Sequence, residues 1–189
     1  MYKENILYPF AFIGKPYTIC DNWFNYIPKM SDKPIKYLEI GLNDGVNIIS
    51  VCYTYASNPH SKVIAIDPFL PNPDEYDVYE TMKIFQTNIE KHRKCNMITH
   101  YMETVEEAIK KIDDNSMDII YIADNKDAKT TVEKIFLSFS KLKDNGYLIV
   151  DNYYDIPEIN TAIDVICCKN CYKFLGDKNN QFFIQKKIK

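Results

Sequence analysis

The sequence contains no long apolar run, and no stretch reaches the roughly 20 residues that a membrane-spanning helix requires. Its first ten residues, MYKENILYPF, lack the basic segment followed by an apolar segment that is typical of a secretory signal. Together these two absences predict a protein that has no membrane contact and is located in the cytoplasm.

Basic residues are too few and too scattered to indicate a nucleic-acid-binding surface. Arg93 is the only arginine, and the formal net charge of the 189-residue chain is −3. A protein that recruits nucleic acid usually presents a positive field to the phosphates. The sequence therefore disfavours RNA or DNA as a partner.

The cysteines lack the second ligand pair that a structural zinc site needs. Cys168 and Cys171 form a C-x-x-C pattern, whereas His60, His92 and His100 all lie far upstream of it. We therefore favour reduced cysteines packed on a late helix over a metal or redox site.

The first 34 residues are rich in aromatic and proline residues but follow no strong hydrophobic period. This composition is consistent with an arm that packs on the main domain or with a lid over a substrate pocket, and we favour the arm. A regular pattern begins at Ile35. We therefore divide the chain into an N-terminal aromatic arm or lid, residues 1–34, and a main domain, residues 35–189.

In the main domain, apolar runs typical of buried strands alternate with segments of helical periodicity. The runs IKYLEIG, KVIAID, MITHYM, MDIIYIA and YLIVD predict five strands, each followed by a helix. The final runs YKFLG and QFFIQKK flank a polar DKNN turn and predict a hairpin. The pattern predicts an α/β domain with a mostly parallel, doubly wound sheet and helices on both faces.

A ligand site is expected beyond the carboxyl end of the first strand, where the strand order of such sheets reverses. The strand ends in the segment from Glu39 to Gly45, which contains Gly41 and Asn43, and a helix follows directly. The glycines allow close approach of the backbone to a ligand. Glu39 stands where a dinucleotide fingerprint has its first glycine. Its carboxylate suits a ligand with an ammonium and a sulfonium better than one with phosphates.

The second strand ends at Asp67, where a carboxylate can accept both hydroxyls of an adenosine ribose. Pro68 and Phe69 follow and are predicted to flank the adenine, while Glu103, after the third strand, is placed to reach its edge. These residues predict an adenosyl ligand. The alternative is an unrelated α/β protein in which Glu39 forms a local salt bridge.

Two long stretches resemble class I S-adenosylmethionine (SAM)-dependent methyltransferases, in particular the methyltransferase domain 24 group. They are YLEIGLNDGVNIISVCYTYASNPHSKVIAIDPF and MDIIYIADNKDAKTTVEKIFLSFSKLKDNGYLIVDNYYD, so the resemblance runs from about Ile35 to Tyr154. It implies a Rossmann-like, seven-stranded sheet with a C-terminal antiparallel hairpin. It also implies that SAM is bound at Glu39, Gly41, Gly45 and Asp67.

The second stretch is also similar to the cation-dependent O-methyltransferases of catechols and caffeoyl-CoA. That similarity implies metal ligands at Asp151 and Asn152 and a catalytic base at Lys126. The first metal position of those enzymes is Ala123 here, with Asp124 one residue later, which leaves few ligands for a cation that prefers about six oxygens. We therefore expect catalysis by Lys126 or Asp151 and do not favour dependence on Mg²⁺.

The resemblance to the domain 24 group implies O-methylation of a hydroxyl on a sugar, a glycan or another small molecule. Two alternatives stay open. Ala123 is compatible with a SAM-fold binding or scaffold protein that has lost catalysis, and Lys36, Asp124 and Lys126 could serve an RNA 2′-O-methyltransferase. The sequence is also compatible with a homodimer.

Overall fold

The structure is a computed structural model that describes residues 23–30, 32–70, 78–92, 98–123, 128–155, 158–166 and 171–188. These residues form strands β1 Lys36–Ile40, β2 Lys62–Ile66, β3 Ile98–Tyr101, β4 Met117–Ile122, β5 Leu142–Val150, β6 Tyr172–Lys178 and β7 Gln181–Lys186. The helices are α1 Val46–Tyr53, α2 Val78–Lys91, α3 Val105–Ala108, α4 Ala128–Phe139 and α5 Glu158–Ile166. Among the helices in these ranges, none has the length and apolar character to cross a bilayer.

The strands form one sheet in the order β3-β2-β1-β4-β5-β7-β6. Pairing is parallel from β3 through β5, whereas β7 runs antiparallel to both β5 and β6. The predicted seven-stranded sheet with a C-terminal antiparallel hairpin is thus confirmed. Because strand order reverses beside β1, the carboxyl ends of β1 and its neighbours define the expected ligand-binding edge.

Two apolar cores lie on opposite faces of the sheet, because alternate side chains of a strand point in opposite directions. Tyr37 of β1 belongs to the core that is covered by α1 and α2, and the neighbouring Leu38 belongs to the core covered by α3, α4 and α5. Helices therefore cover both faces of the sheet, which explains why the strand sequences are nearly continuous apolar runs.

The parallel pairing continues for one residue past the end of several strands. Each of these residues donates its backbone N–H to a carbonyl of the next strand: Gly41 to Ile66 at 2.9 Å, Asp67 to Tyr101 at 3.2 Å, Ala123 to Ile40 at 2.8 Å and Asp151 to Ile122 at 2.9 Å. The loops that carry the predicted site residues therefore begin at aligned positions along a single edge.

The last part of the predicted N-terminal arm packs into the core on the Tyr37 face. The side chain of Trp23 is completely buried, and its indole N–H donates to Oε1 of Gln181 at 3.1 Å. Its ring centroid lies 5.4 Å from that of Tyr121. Residues 1–22 lie outside the described part of the chain, so a lid formed by them stays a prediction.

The turn between β1 and α1 contains three residues with positive φ angles. Gly41, Asn43 and Gly45 have φ angles of 86°, 48° and 79°, all in the left-handed region. At Gly45, which precedes the first residue of α1, a Cβ atom would lie 2.7 Å from Cδ2 of Phe85. Gly45 is thus required by its backbone angle and by its contact with α2.

The predicted DNG turn before the fifth strand lies within β5. In the pairing of β5 with β4, Leu142 lies opposite Met117 and Tyr147 lies opposite Ile119. Asn145, between them, has a φ of 62°. The intervening residues bulge out of register, because the partner strand offers too few residues to pair with them. Regular pairing begins at Tyr147, which is the start of the predicted strand.

Replacement of Trp23 by alanine should lower the free energy of unfolding by about 3–5 kcal/mol, because it empties a fully buried aromatic site. The neighbouring Phe24 is 42% exposed and stacks on Tyr55, so Phe24→Ala is the matched control with a smaller loss. Urea unfolding followed by circular dichroism measures both losses. Equal losses would show that Trp23 is not an integral part of the core.

Gly45→Ala should destabilise the protein for two separable reasons. The left-handed φ costs about 1–2 kcal/mol for a residue with a Cβ, and the collision with Phe85 adds to it. Phe85→Leu should relieve the collision but not the backbone cost, so a double-mutant cycle should show favourable coupling. Additive changes in unfolding free energy would contradict the assigned contact.

Candidate functional site

A cavity of about 640 Å³ lies at the carboxyl edge of the sheet, beside the ends of β1 and β2. Five of the residues predicted to bind the cofactor line it together: Gly41, Asn43, Asp67, Pro68 and Phe69. Its volume is in the range of small-molecule and cofactor sites. The loop after β1 and the loop after β2 thus meet on one concave surface, as the sequence predicted.

Asp67 connects the two loops. One carboxylate oxygen accepts the backbone N–H of Leu42 at 2.8 Å, and the other accepts the backbone N–H of Phe69 at 2.8 Å. Each carboxylate oxygen has a second lone pair available for a further hydrogen bond. Asp67 therefore fixes the shape of the loop after β1 in addition to presenting acceptors to the cavity.

Phe69 forms part of the cavity wall in a constrained conformation. Its φ is 46°, and its ring packs at 5.6 Å from Phe85 and at 5.7 Å, edge to face, from His100. Burial lowers the pKa of His100, which favours the neutral imidazole at this position. The aromatic wall is therefore apolar and suited to the face of a planar ring.

Glu39 lies behind this surface and does not line the cavity. Its side chain is almost completely buried, and its Oε2 accepts hydrogen bonds from the Tyr37 hydroxyl at 2.5 Å and from the Asn47 amide at 2.8 Å. Burial raises the pKa of Glu39 to about 8. In the part of the chain that the structure describes, no lysine or arginine pairs with it. The alternative of a local salt bridge therefore has no support there.

Asp151 follows the end of β5, is half-buried, and is linked by hydrogen bonds to buried polar groups. Its Oδ2 accepts a hydrogen bond from the Tyr121 hydroxyl at 2.8 Å, and that hydroxyl in turn accepts one from the Gln181 amide at 3.4 Å. Burial raises the pKa of Asp151, and the hydrogen bond from Tyr121 partly opposes the increase. A carboxylate of this kind takes up a proton more readily than an exposed aspartate.

The hairpin of β6 and β7 holds the loop that follows Asp151. Asn180, in the hairpin turn, accepts the N–H of Tyr153 at its carbonyl oxygen, at 2.9 Å, and the N–H of Tyr154 at its side chain, at 2.6 Å. Its amide also donates to Asp155 at 2.6 Å. The antiparallel hairpin thus directly supports the loop that follows Asp151.

The predicted metal ligands Asp151 and Asn152 are adjacent at this edge, and Asn152 has a φ of 56°. Ala123, at the first metal position, is buried. Asp124 and Lys126 lie outside the described residues. Among the residues that are described, no three histidine, cysteine or acidic side chains form a group that could hold a metal ion. The metal ligands that the resemblance implies, the expectation that the enzyme does not depend on Mg²⁺, and the role of Lys126 therefore stay predictions.

Two predicted cofactor residues have other contacts in the structure. Gly45 packs against Phe85 and does not line the cavity. Glu103 forms an ion pair with Lys111, and the adjacent Thr104 lines the cavity instead. A contact of Glu103 with adenine would require this ion pair to rearrange.

The sequence analysis missed the wall of the cavity that α4 provides. Thr130, Glu133 and Lys134 line it, and their spacing places them on a single face of the helix. Thr81 on α2 and Glu106 on α3 were also missed. A polar helix face near the start of the helix after β4 is the signal that could have revealed the first three residues.

A family model described as a methyltransferase domain matches residues 38–153. Solved structures with a similar fold include a protein from Corynebacterium glutamicum, with 9% identity, a TM-score of 0.69 and coverage of 94% of this chain and 84% of that one. A methyltransferase from Geobacter sulfurreducens has 13% identity, a TM-score of 0.63 and coverage of 94% and 81%. The O-methyltransferase from Bacillus cereus in complex with SAH has 14% identity, a TM-score of 0.59 and coverage of 81% and 74%.

The comparison with curated proteins found no match. The family match nevertheless covers more than half of the chain and includes the loop after β1, Asp67 and Asp151. The low identity of the solved structures limits their weight to the fold, which agrees with the family. The chain belongs to the methyltransferase domain family and is a class I SAM-dependent methyltransferase, as the resemblance predicted.

Proposed function

We propose that this enzyme transfers a methyl group from SAM to a hydroxyl group of a sugar, a glycan or another small molecule. The observation that carries the proposal is the position of Asp151. It is a half-buried carboxylate with a raised pKa, and it lies on the sheet edge that also holds the cavity with Asp67 and Phe69. A proton acceptor and a cofactor pocket on one edge are what methylation of a hydroxyl requires.

The cavity has the chemistry of an adenosyl site. Asp67 offers the free lone pairs of its carboxylate to the ribose hydroxyls, and Phe69 with Pro68 offers an apolar wall to the adenine. Gly41 lines the same cavity in a left-handed conformation, and its missing Cβ leaves space for a close approach. The residues present therefore fit the cofactor of the family.

The polar groups behind the loop fit the cationic amino end of SAM. Glu39 is a buried acid without a cationic partner among the described residues. Oδ1 of Asn47 is buried and accepts no hydrogen bond within the described chain. An acid and an unused acceptor side by side are suitable partners for an ammonium group, which only donates hydrogen bonds.

When bound, SAM supplies a methyl group on a sulfonium, which needs alignment with its acceptor more than further activation. The hydroxyl of the acceptor must lose a proton, and Asp151 is the described residue that can take it. Tyr121 fixes the orientation of that carboxylate through its 2.8 Å hydrogen bond. Lys126 is proposed as a second group in this role on the basis of the family resemblance.

The choice of acceptor is supported by the family resemblance and by charge. The resemblance to the domain 24 group favours sugars and glycans, and the net charge of −3 with one arginine disfavours a polyanionic substrate. The fold alone does not select an acceptor, because one fold hosts many substrates. The acceptor is therefore the part of the proposal that needs a direct screen.

Asp67→Ala should abolish binding of SAM while the protein stays folded. The variant removes the acceptors for the ribose and the tie to the N–H of Leu42. Isothermal titration calorimetry with SAM measures the loss, NAD serves as the negative control ligand, and Asp113→Asn, an exposed site before β4, is the control variant. Wild-type affinity for SAM in Asp67→Ala would refute the ribose assignment.

Asp151→Asn should retain binding of SAM but lose methyl transfer by at least about 100-fold, the usual scale for a general base. Formation of S-adenosylhomocysteine is measured with monosaccharides, oligosaccharides, catechol and short RNA as acceptors, each with and without Mg²⁺. Turnover of sugars supports the proposal. Turnover of RNA alone favours the 2′-O-methyltransferase, and SAM binding without turnover on any acceptor favours the binding protein.

A further inference from the structure

The two carboxyl oxygens of Glu39 differ in the hydrogen bonds that they accept. The side chain is 1% exposed, and the hydroxyl of Tyr37 and the amide of Asn47 both donate to Oε2. The amide of Asn47 also donates to the Tyr37 hydroxyl at 3.1 Å, which ties the three groups together. A proton on Oε1 would leave these hydrogen bonds intact.

The charges that face Glu39 do not stabilise its ionised form. Asp44, in the loop before α1, and Asp151, after β5, both act on it as like charges. Among the residues that the structure describes, the other titratable groups that interact with it are the hydroxyls of Tyr37 on β1 and Tyr121 on β4, and neither is a cation. Because an unpaired buried charge is costly, the neutral acid is the stable form in the cofactor-free protein.

We propose that Glu39 holds a proton in the cofactor-free enzyme and releases it to solvent when the ammonium group of SAM binds beside it. This inference rests on the proposed cofactor site. The exchange balances: a neutral acid and a cationic ligand become an ion pair, and one proton leaves for the buffer. Binding of SAM is then linked to pH, which a carboxylate that is ionised from the start would not cause.

The direction of the linkage follows from the pKa of Glu39 in the two states. In the free enzyme the pKa is about 8, and a bound ammonium lowers it. Below about pH 8 each binding event therefore releases close to one proton, and affinity rises about tenfold for each pH unit. Between about pH 6 and 7 the α-amino group of SAM, with a reference pKa of roughly 7.7–8.0, stays mostly protonated. Ionisation of this α-amino group therefore does not mask the pH dependence that Glu39 causes.

The test is calorimetric titration of the wild-type enzyme with SAM at about pH 6.5, in phosphate and in imidazole, which differ in ionisation enthalpy. The difference in heat gives the number of protons released, expected to be close to one. 5′-Methylthioadenosine shares the adenosyl group but lacks the amino acid end, so its binding should release none. SAM binding without proton release, or equal release with 5′-methylthioadenosine, overturns the inference and leaves the cofactor site intact.

Glu39→Gln provides a second arm, because glutamine keeps the size of the side chain and cannot ionise. Its affinity for SAM should change less than twofold between about pH 6 and 7, whereas that of the wild type should change about tenfold. Glu90→Gln, an exposed site on α2, is the matched control and should behave like the wild type. A tenfold change in Glu39→Gln would assign the proton to another group.

The pKa of Glu39 can also be measured directly, without a ligand. The carboxyl ¹³C resonance of Glu39, assigned by its absence in Glu39→Gln, should titrate near pH 8 in the cofactor-free enzyme. A midpoint near the ordinary value of glutamic acid would overturn the inference even if SAM did not bind. Absence of binding of both SAM and 5′-methylthioadenosine at any pH would instead refute the proposed function.

Discussion

The parallel pairing of β2, β1, β4 and β5 is the constraint on which the site depends. It places four strand ends at one level, and the backbone bonds of Gly41, Asp67, Ala123 and Asp151 extend that alignment into the loops. Residues that are far apart in the sequence therefore share one edge. Burial of both sheet faces fixes the register of the strands, because a shift by one residue would move apolar side chains out of the core that they fill.

The antiparallel hairpin holds the loop that carries the proposed base. Its β7 strand pairs with β5, so the hairpin turn lies beside the loop that follows Asp151. From there Asn180 holds the backbone of Tyr153 and Tyr154, and Gln181 connects Tyr121 to Trp23. A structural addition to the parallel sheet thus supports the proposed base, and the segment before β1 contributes through Trp23.

Strand ends and the cavity residues of the loops after β1 and β2 were predictable, but the cavity residues on the helices and the partners of the polar side chains were not. Gly41 and Asp67 follow from the periodic apolar runs and from the rule that ligands bind at the carboxyl edge. By contrast, the fit of Gly45 against Phe85 and the bond between Tyr121 and Asp151 join residues 40 and 30 positions apart. Glu103 likewise forms an ion pair with Lys111 that the sequence did not predict. Such pairs depend on packing between elements, which no local pattern specifies.

Glu39 and Asp151 link the proposed cofactor part of the site to the proposed acceptor part, because their charges interact. Asp151 raises the pKa of Glu39 as a like charge, so ionisation of either acid opposes ionisation of the other. In the proposed exchange, the ammonium that pairs with Glu39 replaces the proton that Glu39 releases, so this pair leaves the net charge beside Asp151 unchanged. The proposed proton release therefore keeps the amino end of the cofactor from altering the charge that acts on Asp151.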